Sequence, residues 1–271
     1  MAVRVGVFGA GGRMGATVCQ AVAADPELEL VAAVDPHYAG LDLHQVTGVS
    51  VGGLQVAPDP AEMARAGAEV AVDFTHLEAA MANLRWCAST GVHAVVGTSG
   101  FAPDHLAELE RLFGAEGPNC IVAPNFAVGA VLMMRFAEIA APFFETGEII
   151  ELHHDAKIDA PSGTAVATAQ RMDSARQAAG VGGWSPDPTT THTIAHARGA
   201  EGAGHTPVHS VRMRGLMAHQ EVILGTTGQT LTLRHDTSDR TSFMPGVLIA
   251  TKAVAGRPGL TVGLDAVLGI L

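Results

Sequence analysis

Between residues 151 and 165 the chain reads Glu-Leu-His-His-Asp-Ala-Lys-Ile-Asp-Ala-Pro-Ser-Gly-Thr-Ala, a stretch dense in groups that can move a proton. His153 and His154 stand side by side, Lys157 follows, and Pro161-Ser162-Gly163-Thr164-Ala165 reads as the opening of a helix. A histidine titrates near neutrality, and a lysine ammonium brings both a proton and a positive charge. The Ser162 hydroxyl and the N–H groups of Gly163 and Thr164 can hold a carboxylate at the helix start, where the backbone dipole favours an anion. Acid–base chemistry on a small anion is the expectation. Two other readings stand beside it. Neighbouring residues on a strand face opposite sides, so one histidine can simply be packed. His153, His154 and Asp155 could also ligate a metal, but no third His or Cys follows at a helical spacing, and no metal is expected.

A second cluster lies near the N-terminus, at Gly9-Ala10-Gly11-Gly12-Arg13-Met14-Gly15. Glycines there permit a tight turn and let backbone N–H groups approach a pyrophosphate. Met14 occupies the last position of the strict GxGxxG pattern, so the spacing is Gly9-x-x-Gly12-x-x-Gly15. Glycines alone also mark an ordinary turn. Asp35 adds weight, because a carboxylate at the end of the next strand can accept hydrogen bonds from an adenosine ribose diol; with Pro36 behind it, it can equally be a turn residue. A carboxylate also repels a 2′-phosphate, which points to NADH as preferred or to both NADH and NADPH as accepted.

These groups need a frame. Val3–Phe8, Leu28–Val34, residues 69–74, His93–Val96 and residues 120–123 are short apolar runs that read as strands. Helical stretches at Arg13–Ala24, residues 77–89 and residues 103–113 alternate with them. Continuous apolar strands alternating with helices imply a parallel sheet covered on both faces, so the glycine cluster sits on a Rossmann-type α/β fold. From Phe126 the pattern changes. A long apolar helix (128–143), a strand (148–152), a helix at Gly163–Ala178 and a Gly/Pro/Thr-rich loop over 180–207 precede three runs that alternate polar with apolar, at 208–213, 220–224 and 230–234. Alternation suits an antiparallel or mixed sheet with one covered face. A final apolar helix spans 243–255. The expected organisation is a dinucleotide domain, 1–127 and 238–271, with an α+β substrate-binding and oligomerisation domain, 128–237, inserted into it.

Composition narrows the classes. The chain has 271 residues, is 48% hydrophobic and 16% charged, and so can bury a core. Its formal net charge of -11 leaves no basic surplus for phosphates, and no nucleic-acid partner is expected. No run approaches the ~20 apolar residues that span a bilayer, and residues 3–8 are too short for a signal peptide. Cys19, Cys87 and Cys120 lie far apart, as in a protein of the reducing cytoplasm.

The segments GAGGRMG, VDFTH, VVGTSGF, APNFAVGA and ELHHDAKIDAPSGTA, together with AHQEVILGTTGQTLTLRHDTSDRTSF, resemble dihydrodipicolinate reductases, the 4-hydroxy-tetrahydrodipicolinate reductases. The resemblance runs in order over nearly the whole chain. It implies NAD(P)H-dependent reduction of a small dicarboxylate in lysine and diaminopimelate synthesis, and a homotetramer; the strands between 208 and 235, whose open faces or edges need cover, are the expected interface. By position it implies His153 as catalytic acid/base and Lys157 as proton donor, with His154, Gly163 and Thr164 touching substrate beside Ser162. Gly9, Ala10, Gly11, Gly12, Arg13, Met14, Asp35, Gly97, Thr98, Ser99, Ala123, Pro124, Asn125 and Phe126 match cofactor contacts. Asp155-Ala156 departs from a pair that is often basic or histidine-containing, and Ser99 replaces a usual threonine. Hinges are expected near Phe126–Gly129 and His235–Arg240. Another imine or amino-acid dehydrogenase would share the glycine loop without HHxxKxDAPSGTA, and a dinucleotide sensor would not need His153 and Lys157.

Overall fold

The computed structural model describes residues 1–195 and 197–270; Leu271, the end of the expected nucleotide domain, lies outside them. The chain divides into two compact units, Met1–Val128 with Arg240–Leu271, and Gly129–Asp239.

In the first unit β1 (Val3–Phe8), α1 (Arg13–Ala24) and β2 (Leu28–Val34) open the fold. There follow α2 (Leu43–Thr47), β3 (Val56–Ala57), α3 (Ala61–Arg65), β4 (Val70–Asp73), α4 (Leu77–Thr90), β5 (His93–Val96), α5 (Pro103–Leu112) and β6 (Cys120–Val122). The last four residues of β1 and all of β4 are buried, as strands covered on both faces must be. Residues 35–68 supply the short elements α2, β3 and α3.

The second unit begins in α6 (Val128–Ala140) and continues with β7 (Thr146–His153), α7 (Gly163–Ala178), β8 (Ala200–Glu201), β9 (Pro207–Arg212), β10 (Ala218–Thr226) and β11 (Gln229–Thr237). α6 stops before the expected position 143: Pro142 has no N–H to continue the ladder, and Ala141–Phe143 tightens into a 3-10 turn. The five strands run in the order β11-β10-β7-β9-β8. The sheet is mixed, because β7 and β9 are parallel while β10 is antiparallel to both β7 and β11. One face is covered by α7, whose Ala165, Ala169 and Met172 pack with Ile149, Val208, Val222 and Leu224. Beneath the start of α7 a polar row replaces the apolar one, with Ser210, Glu151, Gln220 and His235 in register across four strands. The expected long loop contains β8 and a 3-10 turn at Ala203–His205. Arg176 anchors it, donating to the carbonyls of Gly182 and Gly183 and lying 4.0 Å over the Trp184 ring.

The chain then returns to the first unit through α8 (Met244–Ala253), β12 (Leu260–Val262) and α9 (Leu264–Leu268). Neither of the last two was expected. Buried Asn119 secures the return: its amide donates to the Val254 and Ala255 carbonyls at 2.9 Å, and its Oδ1 accepts from Gly259 N–H at 3.1 Å. β12 thereby pairs with β6 and completes a seven-stranded sheet, β12-β6-β5-β4-β1-β2-β3, in which every pairing is parallel.

Candidate active site

The strand register explains how distant segments of the first unit meet. Val34, Phe8, Asp73, Val96 and Val122 are successive partners across the sheet. The residues that follow them, Asp35, Gly9, Phe74, Gly97 and Ala123, therefore leave the carboxyl ends of five strands side by side. Strand order reverses between β1 and β4, and in parallel α/β sheets ligands bind at that reversal.

Each glycine of the loop has its own reason. Gly9 takes φ +64, and its N–H and that of Ala10 both donate to the Val34 carbonyl. A Cβ on Gly11 would lie 2.1 Å from the Tyr38 ring, and one on Gly15 would lie 1.9 Å from the Gly9 carbonyl oxygen. Gly15 thus lets α1 approach the loop, while Gly12 caps the helix in extended conformation. No acidic residue stands in the first turn of α1, and the first N–H groups of a helix have no carbonyl behind them. That is the donor set a pyrophosphate needs, so the loop fits a dinucleotide. Asp35 is 7% exposed and accepts from the N–H groups of Gly11 at 3.0 Å and His37 at 3.1 Å, which ties β2 to the loop.

Gly97 lies against the Phe74 ring, 2.0 Å from where its Cβ would stand, and Phe74 packs on Phe126 with centroids 5.6 Å apart. The Thr98 hydroxyl donates to the Thr75 carbonyl at 2.8 Å. Asn125 Oδ1 accepts from Ala127 N–H at 2.9 Å and shapes the Ala123–Phe126 turn, while Ser99 and Pro124 are exposed. Asp73, which sequence reasoning did not single out, accepts from Thr75 N–H, Thr75 Oγ1 and Asn83 Nδ2, each at 2.7 Å. Burial pushes its carboxyl above the ordinary value against those bonds.

In the second unit β7 ends at His153, opposite Arg212 of β9. His153 Nδ1 is 2.5 Å from Glu151 Oε2. Burial holds the ring below the ordinary histidine value, with Glu151 opposing the shift. Glu151 is 0% exposed. Burial works against its charge, but hydrogen bonds from Arg212, Ser210 and His153 outweigh it and keep the carboxyl below its ordinary range. His154 is exposed, on the other side of the strand end. Lys157 Nζ donates to both oxygens of Asp159 at 2.8 Å. Ser162 is buried as the cap of α7, its hydroxyl oxygen accepting from Ala165 N–H at 3.2 Å. The hydroxyl hydrogen stays available to donate. Gly163 faces open space, and Asp155 pairs with Arg214 at 2.8 Å. The structure thus gathers His153, Lys157 and the α7 start around Glu151, Arg212 and Asp159. Glu151 had a sequence signal, since it stands two residues before His153 on a strand and shares its face. Arg212 had none.

Family models described as dihydrodipicolinate reductase, N-terminus and C-terminus, match residues 3–126 and 129–268. The 4-hydroxy-tetrahydrodipicolinate reductase of Nocardia farcinica is 51% identical over 266 residues, covering 98% of each chain. That of Cutibacterium acnes is 50% identical over 270 residues, covering 99% of each. Among solved structures, the dipicolinate-bound dihydrodipicolinate reductase from Paenisporosarcina sp. TG-14 is 37% identical with a TM-score of 0.85, over 98% of this chain and 99% of that one. An amine dehydrogenase from Mycobacterium smegmatis, 18% identical with a TM-score of 0.66 over 97% of this chain and 95% of that one, shares the fold.

Proposed function

The chain belongs to the dihydrodipicolinate reductase family, and from that premise we propose which of its residues carry the reaction. The reaction is the NAD(P)H-dependent reduction of 4-hydroxy-tetrahydrodipicolinate to tetrahydrodipicolinate in lysine and diaminopimelate biosynthesis. Its substrate is a small dicarboxylate. Reduced nicotinamide supplies a hydride to ring carbon 4. The 4-hydroxyl departs as water, so the balance needs one proton, and protein residues must place it.

The glycine loop, Asp35, Gly97–Ser99 and Ala123–Phe126 hold the dinucleotide; the register that aligns their strand ends supports this assignment. Substrate carboxylates lie on the Gly163 and Thr164 N–H groups, the Ser162 hydroxyl, His154 and Lys157. Lys157 supplies the proton, His153 acts as the acid/base that exchanges it through Nε2, and the Lys157 ammonium stabilises the charge that develops as hydride arrives. The single observation that carries this reading is the convergence of His153 and the α7 start on the buried Glu151 carboxylate, with Lys157 held on Asp159, whose carbonyl accepts from the same Arg212 that pairs with Glu151. Following NADH absorbance with enzymatically generated substrate present and absent tests it. Substrate-independent oxidation, or none, refutes the reading.

Asp35 favours NADH, or leaves both cofactors accepted. Asp35→Asn removes the charge that repels a 2′-phosphate while retaining one acceptor. The ratio of kcat/KM for NADPH to that for NADH is expected to rise about tenfold, equivalent to ~1.4 kcal/mol. A wild-type KM for NADPH tenfold below that for NADH would defeat the assignment.

No helix among the described residues is long and apolar enough to cross a membrane. We place the enzyme in the cytoplasm, in keeping with three buried free thiols, and assign a homotetramer built on the second unit's sheet. The face away from α7 carries half-buried Ile150, Leu152 and Ile223 among ion pairs, with β11 as an edge strand that needs cover. Light scattering after size exclusion reads the mass; a monomer sinks the assembly and leaves the chemistry untouched.

A further inference from the structure

One buried ionic group has no part in the chemistry assigned so far. Glu151 lies inside the second unit, where an unpaired carboxylate is costly. Arg212 Nη2 donates to Oε1 and Arg212 Nη1 to Oε2, both at 2.9 Å. Ser162 N–H donates to Oε1 at 3.2 Å. His153 Nδ1 meets Oε2. Arg212 also donates at 2.6 Å to the backbone carbonyl of Asp159, the residue whose carboxylate holds Lys157. The end of β7, the end of β9, the Lys157 turn and the first turn of α7 are therefore tied to one ion pair.

An ionised carboxylate only accepts hydrogen bonds, so the imidazole nitrogen facing it must carry hydrogen. The other nitrogen, Nε2, is then the one left for the substrate. The charged groups that act on the ring are Glu151 on its own strand, Lys157 in the following turn and Arg212 on β9. Gln220, next to Glu151 in the polar row, donates to Thr168 Oγ1 at 2.8 Å, and Thr168 donates to the Thr164 carbonyl at 2.7 Å. The support beneath His153 continues under the proposed carboxylate site.

We propose that Glu151, clamped by Arg212, is a positioning residue that fixes the tautomer and plane of the His153 ring and ties it to the helix start holding the substrate. This rests on the assignment of His153 as a proton-transfer group. Nitrogen NMR of the ¹⁵N-histidine-labelled enzyme, with His153→Gln to identify the signal, reads the tautomer directly. The expected result is a neutral ring at pH 7 with hydrogen on Nδ1. Hydrogen on Nε2, or averaging between tautomers, overturns the proposal.

Kinetics supply the second arm. Glu151→Gln is expected to lower kcat by about 10²-fold in the wild-type background. In the His153→Gln background the same change should alter kcat by less than about twofold, since sites that act as a unit are not additive. NADH affinity, read by fluorescence, should not move. An equal loss in both backgrounds makes Glu151 merely structural and overturns the proposal. An unchanged kcat in His153→Gln alone overturns the underlying assignment, and is told apart because it involves no change at Glu151. If Glu151→Gln fails to fold, the tautomer of the wild-type enzyme decides alone.

Discussion

Replacing Lys157 by alanine is expected to lower kcat by about 10²–10⁴-fold, the usual cost of losing a positioned proton donor. The side chain is 21% exposed, while the Asp159 carboxylate that holds it is 59% exposed. Its ammonium is thus kept near the α7 start by a partner that water can solvate once a substrate carboxylate takes the charge. Alanine removes the proton and the cation together. It leaves the turn intact, because that turn is held by Lys157 N–H on the His154 carbonyl at 3.2 Å and by Arg212 on the Asp159 carbonyl. Substrate KM should rise as well, and NADH affinity should stay constant. Steady-state rates with a fluorescence titration of NADH separate these effects. A kcat within threefold of wild type for both Lys157→Ala and His153→Ala would end the assignment.

Gly15→Ala is the second change expected to act strongly, and it acts through the backbone. The added methyl would stand 1.9 Å from the Gly9 oxygen, 2.7 Å from the Gly9 carbonyl carbon and 3.0 Å from Ala10 Cα. No side chain is there to swing away. The loop cannot retreat freely either, since Gly9 is already at φ +64 and two N–H groups hold it to Val34. Overpacking of this kind costs about 1–3 kcal/mol. Each kcal/mol lowers the melting temperature by about 2–4 °C in domains of roughly 150–250 residues. NADH affinity should weaken at least tenfold, because the displaced N–H groups are the proposed pyrophosphate site. Gly114→Ala, whose methyl would meet nothing within 4 Å, is the control; it should shift stability by no more than about 0.5 kcal/mol. Equal melting temperatures for the two variants would refute the steric argument.

Much of this was legible because it is local in sequence. Apolar runs followed by glycines, and a Ser-Gly-Thr helix start after a strand, are patterns of adjacent residues, and β1, β2, β5 and α7 lie at the expected bounds. The partners of the reacting groups are a different matter. Arg212 reaches Glu151 from 61 residues away, through a parallel β7–β9 pairing that no short-range pattern announces. Asp73 reads as an ordinary strand-end residue until its burial and three donors are seen. β3 and β12 are too short to show a period, two and three residues long. Only their place in the sheet makes them strands. Pro142 was visible throughout, yet the apolar run across it outweighed its meaning for where α6 must end.

The Asn119 clasp has a consequence for the order in which the protein is made. β6 finds its outer neighbour only when Leu260–Val262 arrives, after every residue of the second unit. During vectorial synthesis the second unit, a continuous segment, can complete its sheet while the nucleotide unit still presents a bare strand edge. Bare edges recruit other chains. A ribosome stalled, or a chain truncated, just after Asp239 would release an intact second unit joined to an unfinished one. Leu260–Val262 is thus a late-arriving seal on the part of the fold that is made first.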